Sequence, residues 1–392
     1  MAGIKRMWSL QAGSGGAGPG SGDKFLVLAY IGETRVLAID GNEMAEAEVP
    51  GFAADESSIW VGNVAGGALV QVTSRSVRLV DATTLALLDE LQAPAQITVA
   101  SAHGGEIVLG LSGGEAWSVD VAPRRLARRG QLTLDHDIAC VSLKSISWSP
   151  AETTGKLDNN MSVDMTPLDN VNLLVSSSAA GSGDAMNEAS VNSATVVAMG
   201  MWTDNSLRLC SYPDLRELCR TPVGSEAQIR DVIIVELASV TYVFAGLGDG
   251  TLVYFELRFD GEHFNFEKRK FLVLGTRAVY LTPFTSASTG LPCLFASGDR
   301  PCVVYSHSGK LLFSAINAVE VTSMTPFHSA SFPHCMALAS DDGLLVGTID
   351  EIQKVHIQEF PLGKSPIRLA FLKEHRVFAG KIISSLMISG HG

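Results

Sequence analysis

The stretch RDVIIVELASVTYVFAGLGDGTLVYFELRFDGEHFNFEKRKFLVL, residues 230–274, decides the fold class of this chain. It contains four short segments in which apolar and polar residues alternate, and a period of two is typical of half-buried strands. The turn Gly248-Asp249-Gly250 lies at its centre and favours a tight connection between antiparallel strands. The four predicted strands are Arg230–Leu237, Thr241–Leu247, Thr251–Phe259 and Phe266–Leu274.

The same pattern of four strands recurs along the chain. Groups of four strands that repeat every ~40–50 residues are typical of β-propeller blades. The chain contains six complete groups and, at its start, one group of three strands. The complete groups span residues 58–91, 97–133, 137–222, 230–274, 277–315 and 319–360. The sequence therefore predicts an all-β fold, a single seven-bladed β-propeller of four-stranded blades.

The incomplete first group predicts how the ring closes. Its three predicted strands are Lys24–Tyr30, Thr34–Asp40 and Met44–Val49, and the late segment Ser365–Leu372 offers a fourth. A ring closed by strands from both chain ends has no free strand edge, and free edges promote aggregation. We therefore predict that Ser365–Leu372 pairs beside Lys24–Tyr30, and that the propeller spans residues 24–373.

Three segments are predicted to lie outside the blades. Residues 1–23 are predicted to be a flexible N-terminal linker, because residues 11–22 read QAGSGGAGPGSG. Residues 151–193 interrupt the fourth group and are rich in Ser, Asn, Ala, Gly and Asp. Such a composition predicts a disordered insertion within blade four. Residues 374–392 are predicted to be a C-terminal remnant that leads out of the propeller.

Composition limits the classes of partner. The chain is 46% hydrophobic but only 7% aromatic, which suits many short strands packed face to face. Its net charge of −12 argues against strong direct binding to nucleic acid, since that affinity comes from Lys and Arg displacing counterions. No apolar run approaches the ~18 residues of a membrane span, and the N-terminus lacks the apolar stretch of a signal peptide. We expect no membrane association.

The cysteines predict a reducing, intracellular environment. They show no CxxC spacing, and most lie within apolar predicted strands. Buried reduced thiols are therefore a better interpretation than disulfides or metal ligands. The six residues are Cys140, Cys210, Cys219, Cys293, Cys302 and Cys335.

Several short motifs suggest catalysis or cofactor binding, but none lies in the predicted secondary structure that its chemistry needs. The GxGxxG pattern at residues 13–18 follows no strand and opens no helix, so we interpret it as part of the linker. His136 and Asp137 are adjacent and would point to opposite faces of a strand, which disfavours an acid–base pair. The arginines at 124, 125, 128 and 129 could hold a phosphate, although a charged outer strand edge is the simpler interpretation. We predict no enzyme activity, no cofactor and no metal site.

Seven segments resemble corresponding segments of one protein family, and they are Ile31–Leu37, Val61–Ala65, Ser74–Val80, Gly200–Asp204, Ala245–Gly250, Ser297–Pro301 and Gly347–Lys354. In order and spacing they are similar to the middle β-propeller of the large subunit of the damaged-DNA-binding complex, the adaptor family of cullin-4 ubiquitin ligases. The resemblance covers about residues 24–384 apart from the insertion. Because that family has three propellers and a C-terminal helical region, the resemblance implies that this chain is a fragment.

The resemblance implies a function and three site residues. In the family the middle propeller docks the N-terminal helical domain of cullin-4, and the matching positions here are Trp202, Arg230 and Asp137. The family usually has Glu at the last position, so the acid is retained but shortened. It further implies the neighbouring propellers of a full-length protein as partners, a place in the nucleus and cytoplasm, and roles in the DNA-damage response and protein ubiquitination.

Other interpretations stay open. Trp202 could pack between blades, and Arg230 could pair with Glu226 or Asp231. Alternatively, the chain could be the related propeller of a splicing or 3′-end-processing factor, a class of proteins associated with nucleic-acid binding. The set Trp202, Arg230 and Asp137 separates the two, since those relatives bind no cullin. A propeller hydrolase or lyase would need ionisable groups converging at the mouth of the central channel, and no such motif occurs.

Overall fold

The computed structural model describes most of the chain, and the described ranges are residues 3–12, 22–41, 43–148, 192–316, 320–341 and 343–349, with the backbone of 365–372 and 377–383. Within these ranges every regular element is a β-strand. The chain divides into two compact units, Met1–Asp350 and Glu351–Gly392. The first unit carries seven blades arranged in a ring, which confirms the predicted all-β propeller.

The first three blades are antiparallel sheets of four strands each. The first contains β1 (Arg6–Leu10), β2 (Phe25–Ala29), β3 (Thr34–Asp40) and β4 (Glu43–Ala47). The second contains β5 (Ser58–Val64), β6 (Ala68–Thr73), β7 (Ser76–Asp81) and β8 (Leu87–Gln92). The third contains β9 (Ile97–His103), β10 (Glu106–Leu111), β11 (Glu115–Ala122) and β12 (Arg125–Thr133).

Three further blades also have four strands, and the last has three within the described residues. The fourth contains β13 (Ile138–Trp148), β14 (Asn192–Met201), β15 (Ser206–Ser211) and β16 (Glu217–Pro222). The fifth contains β17 (Ile229–Leu237), β18 (Val240–Leu247), β19 (Thr251–Phe259) and β20 (Phe264–Val273). The sixth contains β21 (Tyr280–Thr285), β22 (Pro292–Ser297), β23 (Cys302–His307) and β24 (Lys310–Ala315). The seventh contains β25 (Ser323–Phe327), β26 (Cys335–Ser340) and β27 (Gly343–Gly347).

The first strand of each blade lies at the centre of the ring. Each of these strands contacts the first strand of the next blade, and β25 contacts β1, so that the seven close a circle. Their side chains line a central cavity of about 320 Å³. The middle strands are sandwiched between neighbouring blades, and every residue of β6 is buried. Burial of these apolar strands on both faces supplies the main hydrophobic stabilisation of the ring.

Ring closure differs from the prediction. Residues 6–10 are not linker but strand β1, which pairs with β2 through Met7 opposite Leu28. Strand β3 takes the other edge of β2. The predicted pairing of Ser365–Leu372 with Lys24–Tyr30 is therefore wrong, because both edges of that strand are occupied. Residues 13–21 of the predicted linker and the predicted strand at 354–360 lie outside the described residues.

Packing between the first and seventh blades closes the ring. An apolar cluster that includes Met7, Leu28 and Phe327 joins the two sheets. The Asp23 carboxylate also accepts the backbone N–H of His328 at 2.8 Å. Sequence analysis missed strand β1 because its five residues are too few to show a clear alternation of apolar and polar residues, and a Gly/Ser-rich stretch follows them.

The described residues of the second unit form a hairpin. Its strands β28 (Ser365–Leu372) and β29 (Val377–Ile383) pair antiparallel with each other. The unit that carries the blades thus begins and ends earlier than the predicted range of 24–373.

The predicted insertion, residues 151–193, lies almost wholly outside the described residues, but its attachment points are described. Trp148 ends β13 and pairs with Asn192, which begins β14. At the other end of this ladder Ile138 pairs with Met201. Ten residues at about 3.3 Å each separate the two ends by roughly 30 Å. The insertion therefore leaves blade four at the end opposite to Trp202.

Candidate protein-interaction surface

The structure brings the three predicted site residues together at one end of the fourth and fifth blades. Asp137 immediately precedes β13, and Trp202 immediately follows β14. The Trp202 N–H donates to the Asp137 carbonyl oxygen at 2.9 Å, which extends the ladder by one bond. The guanidinium carbon of Arg230 lies 4.9 Å from the centre of the Trp202 ring. The three residues lie in or next to three different strands and form one patch, which we call the Trp202 patch.

Trp202 presents its indole to solvent rather than packing between blades. Trp202 is 39% exposed, whereas Trp117 is 4% exposed. Exposed tryptophan adds apolar surface that a partner can bury, and Trp is among the residues most enriched at interface hot spots. The alternative of a core position is therefore wrong for Trp202.

The turn that carries Trp202 is braced by Asp204. The Asp204 carboxylate accepts the Ser206 N–H at 3.0 Å and lies 3.2 Å from Arg208 Nη2. Partial burial acts to raise the pKa of Asp204, but hydrogen bonds from Ser206 and the charge of Arg208 outweigh it and lower that pKa. The carboxylate thus stays ionised near neutral pH and fixes the turn.

A β-bulge places Arg230 over the indole. In β17 the register shifts between Ile229 and Asp231, so Arg230 is an extra residue with no partner on β18. The first strands of blades two, three and four have the same bulge, where the extra residue is Ile59, Thr98 or Ala139. A bulge re-aims the side chain of its extra residue. Blades two to five therefore share this bulge in their first strands, and only in the fifth blade is the extra residue a cation.

Arg230 has no acidic partner among the described residues. Neither Glu226 nor Asp231 forms an ion pair with it, so those alternatives are not realised. The Asp231 carboxylate instead accepts the N–H groups of Val232 at 3.0 Å and Leu281 at 2.8 Å. Burial raises the pKa of Asp231, although the charge of Arg6 acts in the opposite direction. Arg230 is thus held by the Trp202 ring, within the range of a cation–π contact.

Asp137 lies in the patch, but its carboxylate is already engaged. It accepts the N–H of Gly113, in a turn of the third blade, at 2.7 Å. No hydrogen bond or ion pair joins it to Arg230 in the part of the chain that the structure describes. Sequence analysis therefore predicted its position, while the structure adds a role for Asp137 as a brace between the third and fourth blades.

Sequence analysis missed a second exposed aromatic group. Phe271 and Val273, on the outer strand β20, are 46% and 72% exposed. Arg269 lies over the Phe271 ring at 5.5 Å. The apolar run Phe271–Val273, which follows the charged residues 267–270 on this outer strand, was the available signal.

The other candidate sites do not gain support. Arg128 stacks on Trp117 at 4.6 Å, and Arg129 pairs with Asp120 at 2.7 Å, so two of the four clustered arginines have partners.

Within the described ranges, no group of three or more His, Cys, Asp or Glu side chains is placed to hold a metal ion. Among the same residues, no helix is long and apolar enough to cross a membrane.

Comparison with known families agrees with this architecture. The family model described as "RSE1/DDB1/CPSF1 second beta-propeller" matches residues 1–349. The chain belongs to this family. The match includes β1, consistent with its place in the first blade, and it covers the whole of the Trp202 patch.

DNA damage-binding proteins are among the curated relatives of this chain. DNA damage-binding protein 1b of Arabidopsis thaliana is 33% identical over 380 residues, covering 96% of this chain and 30% of the relative. DNA damage-binding protein 1 of Solanum lycopersicum is 34% identical over 381 residues, with the same coverage. DNA damage-binding protein 1 of Drosophila melanogaster is 33% identical over 392 residues, the full chain. The chain spans about 30% of the length of these relatives.

Proposed function

We propose that this chain is a non-enzymatic protein-interaction scaffold that docks the N-terminal domain of cullin-4. In this role it would serve an adaptor of cullin-4 RING ubiquitin ligases, in the nucleus and cytoplasm, in the DNA-damage response and protein ubiquitination. The observation that carries the proposal is the Trp202 patch, in which Arg230, which forms no ion pair with any described residue, stacks on the exposed Trp202. Exposed Trp and Arg side chains are the types that dominate binding energy at protein interfaces.

The position of the patch supports a docking role. Trp202, Arg230 and Asp137 lie at one end of the blades, while the insertion leaves from the other end of β13 and β14. Blades four and five share a large apolar cluster that includes Val196, Ile234 and Phe255. A patch mounted on such a packed seam is preorganised, which lowers the entropic cost of binding.

The names of the relatives favour this proposal over the alternative of a splicing or 3′-end-processing factor. The three relatives described above are all called DNA damage-binding proteins. Because the chain spans about 30% of their length, the remaining propellers of a longer protein are further proposed partners.

A direct binding measurement tests the proposal. The purified 392-residue chain is titrated with the cullin-4 N-terminal domain by isothermal titration calorimetry, with the partner of a splicing-factor propeller as the comparison. We expect saturable one-to-one binding to the cullin domain and none to the comparison protein. Binding to the comparison protein alone would favour the alternative, and binding to neither would remove the scaffold proposal.

A further inference from the structure

The surface around Trp202 continues outward along the seam between blades four and five. The turn after Trp202 leads to Ser206, which pairs with Pro222 at the end of β16. Gly224 follows with a φ of +82°, and a Cβ added there would lie 2.6 Å from Nη1 of Arg269. Glycine at this position thus makes room for an arginine from the neighbouring blade. Arg269 donates to the Pro222 carbonyl oxygen at 3.4 Å and so bridges the two blades.

Arg269 also lies over an exposed aromatic ring. Its guanidinium carbon is 5.5 Å from the centre of the Phe271 ring, and Phe271 is 46% exposed. Val273, two residues further along the strand, is 72% exposed. Alternate residues of a strand share a side, so Arg269, Phe271 and Val273 form one strip. Trp202 and Phe271 are the two aromatic members of the exposed large apolar residues in the described ranges, and each lies beneath an arginine.

The charges of the strip define the chemistry of a partner. Neither Arg230 nor Arg269 forms an ion pair within the described residues, whereas Arg208, Arg258 and Arg277 each have an acidic partner. Arg269 is exposed and Arg230 is half-buried, so both guanidinium groups can offer a positive charge to a partner, on a chain whose net charge is −12. A partner complementary to two arginine–aromatic pairs presents acidic groups beside apolar ones.

We infer that the docking surface extends from the Trp202 patch to Phe271 and Val273, and that it accommodates an amphipathic helix of the cullin N-terminal domain whose exposed face carries acidic and apolar side chains. This inference rests on the proposed function. An apolar strip flanked by two arginines that form no ion pair among the described residues is the complement of such a helix face. Arg269 then has two roles. It joins the fourth and fifth blades through the Pro222 carbonyl oxygen, and it offers a positive charge to the partner.

Calorimetry with the cullin-4 N-terminal domain tests the extension, using the full chain at low and at high salt. We expect Phe271→Ser and Arg269→Gln each to raise Kd about fivefold or more, since exposed anchors of an interface contribute at this level. Arg269→Gln should also weaken the dependence of Kd on salt, because it removes one screened charge. Val273→Ser is a further variant of the strip, and it leaves the stacked pair of Arg269 and Phe271 intact.

Matched controls lie on the first blade. Ile31→Ser removes an apolar side chain that is 82% exposed. Arg35→Gln removes an arginine that stacks on Tyr30 at 5.4 Å. Both should leave Kd unchanged.

The outcomes separate this inference from the proposed function. If Trp202→Ala loses binding while the Phe271, Arg269 and Val273 variants bind like the unsubstituted chain, the extension is overturned and the proposed function stands. If the unsubstituted chain does not bind the cullin domain, both are overturned. If the control variants weaken binding as much as Phe271→Ser does, the strip has no special role and the extension is again overturned.

Discussion

Arg230 of the fifth blade lies over Trp202 of the fourth, with 4.9 Å between its guanidinium carbon and the centre of the indole ring. The stack joins residues from two sheets, and it exists because a bulge at the second residue of β17 turns Arg230 away from the ladder. Trp202 remains 39% exposed beneath the arginine. The pair is thus both a contact between blades and an open surface, which makes binding and stability separable by mutation.

Trp202→Ala and Arg230→Ala should weaken binding to the cullin-4 N-terminal domain by about thirtyfold or more, the range typical of central Trp and Arg anchors. The melting temperature should change little, since loss of a buried core Trp would instead lower stability by about 3–5 kcal/mol. Calorimetry and thermal melts measure the two effects. Arg230→Lys keeps the charge but not the planar stack, so an intermediate Kd is expected. A stable Trp202→Ala protein that binds fully would contradict the proposed docking site.

Asp137→Ala should lower stability, because it leaves the Gly113 N–H without its 2.7 Å acceptor. Loss of one such hydrogen bond costs about 1 kcal/mol. Asp137→Asn retains a side-chain oxygen and should be closer to the unsubstituted chain in urea denaturation. If Asn restores stability but not cullin binding, the charge of Asp137 acts at the interface. If Asn restores both, Asp137 serves only as a brace.

Leu10→Ala should destabilise the propeller by about 2–4 kcal/mol, the range for a fully buried leucine. Leu10 is 0% exposed and packs between the first and second blades. Lys5→Ala, at an exposed position just before β1, is the matched control and should be nearly neutral. Chemical denaturation distinguishes them. Equal stability of the two variants would contradict the place of residues 6–10 in the first blade.

Replacing residues 151–190 by a short Gly/Ser turn should leave cullin binding unchanged, because the attachment points Trp148 and Asn192 lie at the far end of the ladder from Met201. Stability should change by no more than about 1–2 kcal/mol, since the entropy of loop closure grows only logarithmically with length. Kd and melting temperature of the shortened chain test both statements. Weaker binding by the shortened chain would show that the insertion contributes to the interface.

Four cysteines should react slowly in the native protein. Burial raises the pKa of Cys210 and Cys219 to about 12, and of Cys293 and Cys302 to about 11. At pH 8 a thiol with such a pKa is ionised to roughly one part in a thousand or less, so alkylation by iodoacetamide should be slow. Mass spectrometry follows the modification, and the protein in guanidinium chloride is the control.

The same thiols imply a loss of stability at high pH. Their pKa values in the folded chain lie above the ordinary value of 9.0, so the unfolded chain releases these protons first as the pH rises. Their contribution to stability is therefore complete below pH 9 and declines above it. A melting temperature that stays constant from pH 8 to about pH 11 would contradict the raised values.

By itself the sequence determined the seven-bladed propeller, because strand periodicity and turn residues such as Gly248-Asp249-Gly250 act over a few neighbouring positions. It also located Trp202, Arg230 and Asp137, through segments that resemble the family. Only the tertiary structure decided how these side chains meet and how the ring closes.

The features that sequence analysis missed all depend on residues distant along the chain. Arg6–Leu10 became a strand because Phe25–Ala29 offers it an edge and neighbouring blades bury Met7 and Leu10. The Asp137 carboxylate is engaged because Gly113 of another blade lies beside it. Arg269 reaches the fourth blade because Gly224 leaves it room. No local pattern encodes such contacts, since each requires the backbone of one blade to be positioned by the packing of the next.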